Sequence, residues 1–109
     1  MSSYICAVHF GMMVHSGCTM NIGHYGLQIQ QLSFNLLTVL PSDVKKITIF
    51  SNGINIFKNN FIKIEYCNND AKKEVVYIQI WSRKSFIEYI SNFSDMWEIE
   101  ITKEKFKKR

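Results

Sequence analysis

The stretch YICAVHFGMMVHSGC, Tyr4 to Cys18, carries thiols and imidazoles in mirror order: Cys-x-x-His, then His-x-x-Cys. Cys6, His9, His15 and Cys18 are each chemically competent zinc ligands. A thiol beside an imidazole is also the starting point of a cysteine nucleophile. Two features weaken both readings. Structural zinc sites usually join two close pairs across a longer gap, whereas only five residues separate His9 from His15. On a strand, residues three apart point to opposite faces, so each Cys/His pair is split between faces. A reactive thiolate further needs cationic neighbours, and no Asp, Glu, Lys or Arg precedes Asp43. The four residues are therefore weak metal candidates. The expected state is buried thiols and hydrogen-bonded imidazoles, with no cofactor and no catalytic group.

Charge is distributed unevenly along the 109 residues. All of the acidic and basic side chains lie between Asp43 and Arg109. The formal net charge of +4 comes largely from the last seven residues, Lys103 to Arg109, which hold four Lys, one Arg and one Glu. Such a tail can contact nucleic acid or an acidic partner; its ordinary state is a frayed terminus. The length predicts a single domain over 1–109, with 103–109 as that tail. Three cysteines cannot all pair within one chain, and no apolar run approaches the roughly 20 residues of a membrane span. The first residues lack the basic n-region and apolar core of a secretory signal. These features predict a cytoplasmic protein with free thiols and no membrane contact.

The elements that must position any site are clearest after Pro41. In KKITIFSNGINIF, Lys45 to Phe57, Asn52-Gly53 between alternating runs signals a two-residue hairpin, with Ile49 opposite Ile56 and Thr48 opposite Phe57. FIKIEYC and EVVYIQIWS continue the alternation, so Lys45 to Trp81 reads as a four-stranded meander. The period then changes. Phe86, Tyr89, Ile90 and Phe93 form one helical stripe, which predicts a helix over about Arg83–Phe93 with Ser82 as its N-cap. MWEIEIT returns to alternation and predicts a final, half-exposed strand over about Trp97–Thr102. Before Pro41, Tyr4 to Phe10, Thr19 to Gln31 and Ser33 to Leu40 read as strands kinked at glycines. Freedom from charge predicts that this segment is interior, either as central strands or as a second layer covering the meander. The fold class that follows is α+β: a mainly antiparallel sheet or half-barrel with one helix packed on it.

Two surfaces stand out as binding candidates. The last strand offers Trp97, Glu98 and Glu100, an aromatic anchor beside two carboxylates. Glu98 and Glu100 share a face, which suits either a solvated surface or an acid/base pair. The second surface is an aromatic row on the meander, Phe50, Phe57, Phe61, Tyr77 and Trp81. Aromatics on a sheet can stack bases; they can equally be the second side of a core. No phosphate loop, Walker motif or dinucleotide fingerprint is present in the sequence. By elimination the expected function is a non-enzymatic protein-binding inhibitor, such as an immunity protein or antitoxin that neutralises a toxin or nuclease. Trp97, Glu98 and Glu100 would carry the contact, with Trp81 and Tyr77 as second choice. The alternatives are an RNA or single-strand-binding module and a small histidine-dependent enzyme or metal-binding protein.

Overall fold

The computed structural model describes residues 2–50 and 61–102. Its strands are β1 (Ser2–Phe10), β2 (Met13–Gly23), β3 (Gly26–Gln31), β4 (Phe34–Val39), β5 (Val44–Phe50), β6 (Phe61–Cys67), β7 (Lys73–Ile80) and β8 (Glu98–Thr102). One helix, α1 (Arg83–Ile90), lies between β7 and β8, extended by a 3-10 turn at Ser91–Phe93. The described strands form a single sheet in the order β4-β3-β2-β1-β7-β6-β5-β8. Every neighbouring pair is antiparallel except β5 and β8, which run parallel. No helix among the described residues is long and apolar enough to cross a membrane.

Alternation sorts each strand into two faces. Partners across the strands then join one apolar face from edge to edge. Val39 pairs with Leu27, Ile22 with Leu27, Met20 with Ile29 and Cys6 with Cys18. The row continues through Val8 and Ile78, Ile78 and Ile62, and Ile62 and Ile49. All of these side chains are buried.

The sheet has to curl around that face. β4 and β5 stand six strand spacings apart, which in a flat sheet is about 29 Å. They are joined only through Leu40 and the 3-10 turn Pro41–Asp43. Five residue steps from Val39 to Val44 reach about 18 Å at most. Gly26 shows how close the packing is at this corner. Its φ is +102, and any Cβ there would collide with the Val39 carbonyl. Glycine alone tolerates both conditions.

The helix fills the resulting trough. Phe86 and Ile90 are buried, and Phe86 meets Tyr4 edge-on with ring centroids 5.3 Å apart. Tyr89 donates its hydroxyl proton to the Ile22 carbonyl at 3.0 Å. Phe93 stacks on Trp97 at 5.3 Å, and Trp97 Nε1 donates to the Pro41 carbonyl at 2.9 Å. The chain after the helix is thereby tied to the connection that closes the curl.

The expected α+β architecture, helix and final strand are all present, and four details differ. Ile49 pairs with Ile62 and Ile101, and Thr48 with Lys63 and Glu100, so both edges of β5 are occupied and the expected partners of residues 48 and 49 are replaced. The Asn52-Gly53 turn itself lies outside the described residues. A two-residue turn signal is local, whereas β5 is held by apolar faces on β6 and β8. Ser82 sits at the N-cap position without a side-chain cap bond; its carbonyl accepts from Phe86 N at 2.9 Å. Of the uncharged first segment, β1 to β3 are central strands of the same sheet, as one of the two expectations had it, whereas β4 is an edge of the described sheet. The segment lacks charge because its outward positions, among them Thr19, Asn21, Gln28 and Thr38, are neutral polar residues. Trp97 precedes β8 and is 3 % exposed, so it is a core residue.

Two substitutions separate the roles of Trp97. Trp97→Ala is expected to lower unfolding free energy in urea by about 3–5 kcal/mol, through loss of the buried ring. Trp97→Phe keeps a ring on Phe93 and loses the bond to Pro41, with an expected cost of about 1 kcal/mol.

Candidate functional site

The convex face carries the exposed chemistry of the second half. Glu98 and Glu100 are alternate residues of β8 and share this side. Lys46 of β5 is the partner of Glu98 in the parallel register, and Thr48 is the partner of Glu100. Lys46 Nζ lies 3.3 Å from Glu98 Oε2 and 3.4 Å from Glu100 Oε1. The Glu98 carboxylate, and secondarily the charge of Glu100, holds the Lys46 ammonium above the usual lysine range. On the other side of β5, Lys46 faces Glu65 and Thr48 faces Lys63. The result is a lattice of alternating charge with its acidic end at the sheet edge. The two β8 carboxylates stay 68 % and 54 % exposed. Exposed ion pairs of this kind are screened by water and orient side chains more than they stabilise a fold.

The other sequence candidates do not join them. Trp97 is in the core, as described above, and is unavailable as an anchor. Tyr77 lies in the row of Glu100, but β6 and β5 intervene, a lateral separation of about 14 Å. It is half-buried. Trp81 is 60 % exposed at the far end of β7, beside the exposed Ile5, whose carbonyl accepts from Trp81 N at 3.3 Å. The expected aromatic platform is also largely covered: Phe61 is buried and Phe50 half-buried. Phe57 lies outside the described residues.

The mirrored Cys/His motif becomes the β1–β2 hairpin, with Cys6 directly opposite Cys18 and His9 opposite Val14. Both thiols are buried and free. Burial, with the neighbouring Cys18 sulfur, pushes the Cys6 thiol from an ordinary 9.0 to about 12. Burial also raises Cys18, against a weaker opposing effect of the backbone at Val8. The imidazoles pack on different rings: His9 on Phe61, His15 on Phe10 and His24 on Phe93. The four motif residues do not converge, and no group of three or more His, Cys, Asp or Glu side chains among the described residues could hold a metal ion.

Two features escape sequence reasoning. The first is the Lys46 bridge, which depends on a parallel pairing between residues some 50 positions apart. The second is a polar cleft of about 310 Å³ between β4 and the β6–β7 hairpin, formed only because the sheet curls. In it Glu74 accepts from the Tyr66 hydroxyl at 3.0 Å and from Asn68 Nδ2 at 2.9 Å. Burial, together with Glu74, pushes the Tyr66 hydroxyl to about 12. Asn68 Oδ1 also accepts from Asp70 N, as in an Asx turn, and from Lys72 N. No family model matches the chain, and no curated protein or solved structure matches it either.

Iodoacetamide at pH 8 is expected to label Cys67, which is half-buried, well before Cys6 or Cys18; mass spectrometry should show all three labelled in denaturant. Cys6 and Tyr66 hold protons in the fold that the unfolded chain releases, so their stabilisation is complete below about pH 9 and lost as pH rises toward 12. Melting temperature should fall over that window, with a shallower slope in Cys6→Ala.

Proposed function

We propose that this protein is a non-enzymatic binding protein that recognises another protein through β8. The observation that carries the reading is the oriented pair Glu98 and Glu100 on a strand that, among the described strands, has a neighbour on one side. Acidic side chains at an accessible edge suit a positively charged partner, and they act mainly on encounter rate and register. The partner class that fits is a toxin or nuclease with a basic cleft. A rigid sheet edge seated over such a cleft would exclude substrate by occupying its path. A cytoplasmic setting, where thiols stay reduced, agrees with three free cysteines.

Tagged protein should recover a stoichiometric partner from its native host, and the purified partner should lose catalytic activity when titrated with it. Glu98→Lys with Glu100→Lys should weaken that recovery by about a hundredfold, with circular dichroism unchanged. Trp81→Ala should leave it intact. A partner retained in full by the double variant would overturn the assignment to β8. Recovery of nucleic acid with a steep salt dependence, and of no protein, would replace the reading altogether.

A further inference from the structure

The outer side of β8 has the properties of a template for an added strand, and its charge pattern selects the occupant. β8 is paired along 98–102 with β5 alone among the described strands. Its residues alternate between acidic side chains on the convex face and Ile99 and Ile101 on the concave face. Ile101 is 55 % exposed although its β5 partner Ile49 is fully buried. The apolar face therefore extends onto β8, where Ile99 is half-buried and Ile101 is left uncovered among the described residues.

A second copy of the chain is a poor occupant. In the antiparallel register that overlaps all five residues of two β8 strands, Glu100 faces Glu100. A shift of two residues in one direction sets Glu98 against Glu100. Like charges directly opposite destabilise strand pairing. A basic strand has the opposite effect, and β5 supplies an internal example, since Lys46 reaches both carboxylates from the neighbouring strand. Lys46 engages only Oε2 of Glu98 and Oε1 of Glu100, so each carboxylate keeps an oxygen for a cation arriving from the outer side.

We propose that β8 accepts an extended segment of a partner protein as an added strand, with Lys or Arg opposite Glu98 and Glu100 and apolar residues opposite Ile99 and Ile101. Main-chain hydrogen bonds give such pairing its affinity and the alternating side chains its selectivity. The proposal rests on the protein-binding reading and adds the chemistry and conformation of the segment recognised.

The test is titration of the isotope-labelled full chain, by amide NMR, with a short capped peptide alternating lysine and valine. Shifts should concentrate on residues 98–102 and their β5 partners. Binding should weaken at least about tenfold with Glu98→Gln plus Glu100→Gln. It should also weaken at least about tenfold when every peptide nitrogen is methylated, which keeps the charges and removes the donors. Equal binding of the methylated peptide would overturn strand addition in favour of charge attraction alone. Shifts confined to β4, or no binding at low salt, would overturn the choice of edge and of occupant. If the peptide fails while a protein partner still depends on Glu98 and Glu100, the strand mode is wrong and the protein-binding reading stands; if that dependence fails too, both fall.

Discussion

The link from Val39 to Val44 constrains everything around it. Two strands six strand spacings apart are joined by a turn too short to cross a flat sheet. Curling is the only solution, and curling requires something to fill the inside. The continuous apolar face of β1 to β7 meets that requirement together with Phe86, Ile90, Phe93 and Trp97. The indole bond to Pro41 then ties the inner filling to the turn that makes the filling necessary. Closure and core thus stabilise each other, and removing either exposes the other.

The curl also explains why the two halves of the chain differ so much in charge while sharing one sheet. Both halves turn the same kind of apolar face inward. Their outward faces diverge: neutral Ser, Thr, Asn and Gln on β1 to β4, alternating Glu and Lys on β5, β6 and β8. At the neutral end, β4 approaches the β6–β7 hairpin across the polar cleft, where the Tyr66 hydroxyl and the Asn68 amide both donate to the Glu74 carboxylate. The charged outer face ends at β8, where two carboxylates share one ammonium and each keeps an oxygen turned to solvent. The two ends of the described sheet therefore differ in surface chemistry.

Legibility in the sequence followed the range of the interaction responsible. The inward set Ile47, Ile49, Ile62, Ile64, Val76, Ile78 and Ile80 could be read from period-2 alternation, because a strand's faces are a local property. The helix could be read from Phe86, Tyr89, Ile90 and Phe93 for the same reason. Glu98 and Glu100 were correctly placed on one face of a half-exposed strand. Trp97 was misread as an exposed anchor although alternation sets it on the side of Ile99 and Ile101, the concave face, where Phe93 and Pro41 hold its indole. The partners of residues 48 and 49 were misread because a strong local turn signal says nothing about which distant strands compete for an edge.

By itself, the sequence determined the periods, the faces and the single helix. Those are consequences of backbone geometry acting over a few residues. Tertiary structure alone decided the strand order, the parallel docking of β8 on β5, the bridging role of Lys46 and the cleft beside Glu74. Each of these joins residues far apart in the chain, and it exists only after the short Val39–Val44 link has forced the sheet to close over its core.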